Sequence, residues 1–125
     1  MLSIPEVRLS GSHEWSLPPS KSHIIRWLTM ISQSNSSCLI KFNESPGADV
    51  ESMSKCLQEM GVNIHPRKDG WLVEPPPQGL SAPNTVLNCG NSGTSARVLS
   101  ALVATMGEKI KLDGDGSLRT RSSSL

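Results

Sequence analysis

The stretch Val86-Leu87-Asn88-Cys89-Gly90-Asn91-Ser92-Gly93-Thr94-Ser95-Ala96-Arg97 passes from an apolar run, through a glycine-containing loop, into a helix-like run. Val86–Cys89 predicts a strand. The residues that follow predict a helix to about Thr105, with Val98, Leu99, Leu102 and Val103 on its core side and Gly107 as its stop. A helix's first turn has unpaired N–H donors and a partial positive charge, so it favours an anion. Gly93 lets a ligand approach the main chain with no Cβ in the way. Thr94 sits at the helix start and Arg97 one turn later. The spacing is neither the G-x-x-x-x-G-K-[ST] phosphate loop nor the dinucleotide pattern G-x-G-x-x-G. By itself this segment also fits an ordinary capped core helix.

Upstream, Ser20-Lys21-Ser22-His23-Ile24-Ile25-Arg26 repeats the arrangement after the chain break at Pro18-Pro19. It predicts a helix over about 20–33. Lys21 supplies a flexible point charge and Arg26 a planar fork suited to phosphate or carboxylate. Ser22 and Arg26, four apart, share a helix face. Ile24, Leu28 and Ile31, with Trp27 beside them, form the expected core side. Downstream, Leu112-Asp113-Gly114-Asp115-Gly116-Ser117-Leu118-Arg119-Thr120-Arg121 predicts a turn after a strand. In an extended chain Arg119 and Arg121 would point the same way. The D-x-D-G piece lacks the rest of a calcium loop.

Between these segments the pattern is mixed α/β. Ile4–Leu9 and His13–Leu17 predict two short strands about a Ser10-Gly11-Ser12 turn. Cys38–Phe42 predicts a strand. Asp49 is placed to cap a helix running to Met60, with Val50, Met53, Leu57 and Met60 on one face and Gly61 as its stop. Val62–Pro66 and Trp71–Glu74 predict a hairpin about Lys68-Asp69-Gly70. A faint echo, Met60-Gly61-Val62-Asn63-Ile64 against Met106-Gly107-Glu108-Lys109-Ile110, points to a repeated unit.

Composition narrows the classes. Twelve basic and 11 acidic residues in 125 leave a net charge of +1, without the basic excess of a nucleic-acid binder. One Phe, three Trp and no Tyr offer few stacking platforms. No apolar run is long enough to span a membrane, and the Met1-Leu2-Ser3-Ile4-Pro5-Glu6 start lacks signal-peptide form. Cys38, Cys56 and Cys89 fit no zinc spacing and are expected as buried thiols in a reducing cytoplasm. His13, His23 and His65 are scattered, so neither a metal nor a cofactor is expected.

Three ordered segments resemble the signatures of the 5-enolpyruvylshikimate-3-phosphate synthase family. Ser20-Lys21-Ser22 through Arg26 is similar to S-K-S-x-x-x-R. Leu87-Asn88-Cys89-Gly90-Asn91-Ser92-Gly93-Thr94, with Arg97 beyond, is similar to L-x-x-G-N-[AS]-G-T. Asp113-Gly114-Asp115 through Arg121 is similar to T-G-D-x-S-L-R-x-R-P. Pro19, Ile24, Val98, Ser122 and Asp113 depart from the residues usual there, and none of these removes a cationic group.

The resemblance implies a fold of repeated βαβαββ units. Residues 1–18 would be strands of the other, lower domain, and 19–125 a partial upper domain. It implies an N-terminal piece of a cytoplasmic transferase in aromatic amino acid biosynthesis. That enzyme moves the enolpyruvyl group of phosphoenolpyruvate to the 5-hydroxyl of shikimate 3-phosphate. Lys21 would be catalytic and touch both substrates. Ser22 and Arg26 would bind shikimate 3-phosphate; Asn91, Gly93, Thr94 and Arg121 would bind phosphoenolpyruvate. The remainder of the same enzyme would be the partner, and the isolated chain is expected to be inactive. Two alternatives stand beside this. One is a fragment of UDP-N-acetylglucosamine enolpyruvyl transferase, whose first motif has K-N where this chain has Lys21-Ser22. The other is a non-catalytic anion-binding domain.

Overall fold

Helix α1, Lys21–Ser32, begins directly after Pro18-Pro19 and turns Ile24, Ile25, Leu28 and Ile31 into the core. The computed structural model describes residues 5, 8, 10–12 and 14–121. Trp27, expected at the core side, is 53 % exposed, and Ile25 takes the buried place instead. The expected strand Ile4–Leu9 lies largely outside the described residues, as does His13. Glu14–Leu17 is exposed and is not in a strand, and no strand pairs with it among the described residues.

Strand β1 is Cys38–Lys41, and helix α2 is Ala48–Glu59. The apolar face of α2 is as the spacing predicted, with Val50, Met53, Leu57 and Met60 fully buried. Burial of each such side chain stabilises by about 1.5–3 kcal/mol. The helix starts two residues earlier than expected. Gly47, at φ +83, is its N-cap, which leaves the Asp49 carboxylate free for another role. Gly61, at φ +99, ends it.

The predicted hairpin forms as β2, Asn63–Arg67, against β3, Gly70–Glu74, joined by Lys68-Asp69. β1 pairs with the other edge of β3, giving an antiparallel sheet of order β1-β3-β2. Gly70 sits where β1 crosses close: it has φ +141, and a Cβ there would lie 1.9 Å from the Ile40 carbonyl oxygen. Phe42 meets the Trp71 ring edge-on at 5.4 Å, closing the end of this sheet.

A second, two-stranded sheet pairs β4, Leu87–Asn88, in parallel with β5, Leu112–Asp113. Helix α3, Gly93–Ala104, is the crossover between them. The last described element is a short helix, α4, Gly116–Arg119. Leu87, Leu99, Leu102 and Val103 join the side chains of α1 and α2 in one core. The architecture is therefore mixed α/β. The order α1-β1-α2-β2-β3 matches the later part of a βαβαββ unit, and β4-α3-β5 opens a second.

Candidate functional site

Three twelve-residue helices, α1, α2 and α3, contact one another pairwise, and their first turns are bonded together. Ser92 is the N-cap of α3 and accepts the Ser95 N–H at 3.1 Å. The Ser92 hydroxyl donates to Ser95 Oγ at 2.8 Å, and Ser95 Oγ donates to the Asp49 carbonyl oxygen at 3.2 Å. Asp49, in the first turn of α2, then reaches α1: Lys21 Nζ donates to its Oδ2 at 2.9 Å. Small hydroxyl side chains allow this close approach, and both serines are fully buried. The result is three positively polarised helix ends gathered on one side of the molecule.

The third segment docks on the second through the main chain. Cys89 N–H donates to the Asp113 carbonyl at 2.8 Å, and Asp115 N–H donates to the Gly90 carbonyl at 2.9 Å. Gly114 fits between them. A Cβ there would lie 2.5 Å from Gly90 O and 2.3 Å from a Leu118 methyl. Asp115 caps α4 by accepting the Leu118 N–H at 2.8 Å. This packing carries Arg121 over the Asn91–Gly93 turn. Its guanidinium donates to the Asn91 carbonyl at 3.3 Å, to Asn91 Oδ1, and to Ser117 Oγ at 3.3 Å. An added Cβ on Gly93 would stand 3.4 Å from an Arg121 nitrogen.

Arg119 does not point with Arg121, as an extended chain would have required. The helical turn of α4 sends it to Asp113, with bonds of 2.8 and 2.5 Å to the two carboxylate oxygens. The Arg119 guanidinium and then the Gly114 N–H hold the Asp113 carboxyl down to about 2. Arg119 is thereby engaged and Arg121 presented alone.

Of the sequence-predicted residues, Lys21, Asn91, Gly93 and Arg121 fall on this connected end. Thr94 is half-buried in the first turn of α3. Ser22 is half-buried and Arg26 exposed on α1, and neither has a bonding partner among the described residues. Among the described residues, Lys21 lines none of the hollows that Arg121 or its neighbours line. A hollow of about 230 Å³ lies beside Arg121, lined also by Ala96, Asp113 and Leu118. A hollow of about 560 Å³ runs instead between α1 and β1 past His23 and Trp27. The arrangement is an open, cation-bearing surface rather than a closed cleft. Asp49 and Ser95, which tie it together, were not singled out as site residues by sequence. The available signal was Gly47, a competing cap that frees Asp49.

Among the described residues no three His, Cys, Asp or Glu side chains gather as a metal-binding set, and no helix is long and apolar enough to cross a membrane. Cys38 is exposed rather than buried, whereas Cys56 and Cys89 are buried as expected.

Joined helix termini and two held cations, on a mixed α/β scaffold, give this end of the described chain a positive polarity. The family model for EPSP synthase (3-phosphoshikimate 1-carboxyvinyltransferase) matches residues 6–122, and the chain belongs to that family. It is 45 % identical over 80 residues to the 3-phosphoshikimate 1-carboxyvinyltransferase of Synechococcus sp. (strain CC9605), a match covering 61 % of this chain and 18 % of the relative. It is 30 % identical over 105 residues to that of Chlamydia felis, covering 84 % of this chain and 23 % of the relative. The structure of EPSP synthase from Acinetobacter baumannii superposes with a TM-score of 0.73 at 29 % identity, over 86 % of this chain and 24 % of that one. The chain thus spans about a fifth to a quarter of the length of these relatives.

Proposed function

We propose that this chain is the N-terminal, substrate-binding part of an enzyme that transfers the enolpyruvyl group of phosphoenolpyruvate to the 5-hydroxyl of shikimate 3-phosphate, releasing phosphate. The observation that carries this reading is the Arg121 guanidinium seated on the Asn91–Gly93 turn, beside helix ends that Lys21 and Asp49 join. Both substrates are phosphorylated carboxylates, so fixed cations and N–H donors must converge on them. Lys21 serves both, Ser22 and Arg26 take shikimate 3-phosphate, and Asn91, Gly93, Thr94 and Arg121 take phosphoenolpyruvate. The reaction gathers phosphate and carboxylate on one tetrahedral carbon, and preset donors that neutralise this charge lower the barrier most. Lys21, at the junction of both substrates, is the catalytic group of this part.

In this reading residues 19–125 are part of one domain and 1–18 belong to the other. The remainder of the enzyme is the partner, the compartment is the cytoplasm, and the chain alone does not turn over. Ser22, in place of asparagine, favours shikimate 3-phosphate over a UDP-sugar. The test is an NMR titration of the chain with shikimate 3-phosphate, phosphoenolpyruvate and UDP-N-acetylglucosamine. Saturable shifts at Ser22 and Arg26 with shikimate 3-phosphate, lost in Lys21→Met with the fold intact, are expected. Preference for the UDP-sugar, or no response to any of the three, overturns the assignment.

A further inference from the structure

Two thiols lie directly beneath the loop that carries Asn91 and Gly93, and nothing above uses them. Cys56 is on α2; Cys89 follows β4 and precedes Gly90. They are 2 % and 0 % exposed. Cys56 Sγ donates to the Asn88 carbonyl oxygen at 3.4 Å, the carbonyl whose carbon is bonded to the Cys89 nitrogen. The Cys56 sulfur therefore lies against the backbone of the other cysteine. The neighbouring Cys89 thiol and burial push the Cys56 thiol up, and the Cys56 thiol lowers that of Cys89 from its ordinary value, so Cys89 is the readier of the two to give up its proton. A hollow of about 310 Å³ reaches this spot, lined by Cys56, by Asn88 and Gly90 on either side of Cys89, and by Lys55 and Glu59. It is wide enough for a molecule of water's size. Cys38, the third cysteine, is exposed and does not line this hollow.

We propose that Cys56 and Cys89 form a modification site, a dithiol that a small peroxide entering this hollow oxidises to a disulfide. Cys89 gives up its proton, and its thiolate attacks one peroxide oxygen. The O–O bond breaks, giving the Cys89 sulfenic acid and one hydroxide. Cys56, giving up its proton to that hydroxide, attacks the sulfenic sulfur; the S–O bond breaks and the S–S bond forms. From the singly protonated pair the products are the disulfide, one water and one hydroxide, with two electrons passed to hydrogen peroxide. The new bond pins α2 to the residue preceding the Gly90–Gly93 loop.

The experiment treats the folded chain with hydrogen peroxide, alkylates the remaining thiols in denaturant, and maps the unreduced digest by mass spectrometry. A Cys56–Cys89 linked peptide is expected, lighter by two hydrogens than its reduced parts and separated by dithiothreitol. The circular dichroism spectrum is expected to be unchanged. Cys38→Ser, altering only the exposed thiol, should give the same link. Oxidation confined to Cys38, with Cys56 and Cys89 both still alkylated, overturns the proposal. So does a link that forms only once the chain has been unfolded in urea.

Discussion

Ser95→Ala tests the joint between the helix ends. The Ser95 hydroxyl is fully buried, donates to the Asp49 carbonyl at 3.2 Å and accepts from Ser92 Oγ at 2.8 Å. Alanine keeps the helix and nearly the volume, so the loss is confined to these two bonds. It strands the Ser92 hydroxyl hydrogen and takes from the Asp49 carbonyl the donor it has beyond its own helix, and an unsatisfied buried polar group costs about 1–3 kcal/mol. Ser92→Ala removes the cap on the Ser95 N–H, worth about 1 kcal/mol, and leaves the bond to Asp49 intact. The double variant has no stranded serine hydroxyl. Its cost should fall short of the sum of the single costs by at least about 0.5 kcal/mol. Urea unfolding followed by circular dichroism measures all three. In a thermal scan each kcal/mol corresponds to roughly 3–6 °C for a chain of this size. Strictly additive losses, each under about 0.5 kcal/mol, would refute the claim that these hydroxyls hold α3 to α2.

Gly70→Ala should lose at least about 3 kcal/mol of stability in the same assay, because its φ of +141 and the 1.9 Å approach to Ile40 O force β1 away from β3. Gly93→Ala should fold normally, since its Cβ meets only an Arg121 nitrogen at 3.4 Å. In the full-length enzyme it should raise the KM for phosphoenolpyruvate more than that for shikimate 3-phosphate; equal effects would count against the proposed division of the substrates. The Asp113–Arg119 pair predicts a pH dependence of known sign. A carboxyl held near 2 when folded and near ~3.9 when unfolded stabilises the fold above about pH 4. That contribution disappears as the pH falls from about 4 towards 2. Asp113→Asn should flatten this part of a stability-versus-pH curve, and an unchanged curve would show the pair to be incidental.

The helices were legible because each has an apolar face at the helical period and a glycine or proline at an end: Pro19 before α1, Gly61 after α2, Gly107 after α3. The hairpin was legible because Lys68-Asp69-Gly70 stands between two apolar runs. What escaped the sequence depended on neighbours far along the chain. Trp27 and Ile25 both fit the core stripe of α1, and only the packing of α2 and α3 decides that Ile25 is the buried one. Asp49 is a good cap by residue type, but Gly47 supplies the turn and Lys21, 28 positions away, claims the carboxylate. The direction of Arg119 and Arg121 was misread because Asp115 caps a short helix where an extended chain was expected. The site motifs were visible as chemistry. Their connection through Ser92, Ser95 and Asp49 is tertiary and required coordinates.

The two cations at the centre of the proposed function are held in unlike ways. Lys21 faces a carboxylate, so part of its charge is already answered, and its side chain is 60 % exposed beside Asp49. Arg121 is held by a backbone carbonyl, an amide oxygen and a hydroxyl, all neutral. Both arrangements fix a long side chain before any anion arrives, removing some of the ~1.5–2 kcal/mol of rotamer entropy that ordering such a side chain costs. Only the neutral cradle leaves the full positive charge available. The exposed Lys21–Asp49 pair contributes little to stability, about 0–1 kcal/mol, and is therefore readily exchanged for a phosphate or carboxylate. Arg121 is accordingly the fixed electrostatic anchor of the surface. In the proposed function Lys21 is the group that exchanges its partner when a ligand binds, which suits a residue proposed to touch both substrates.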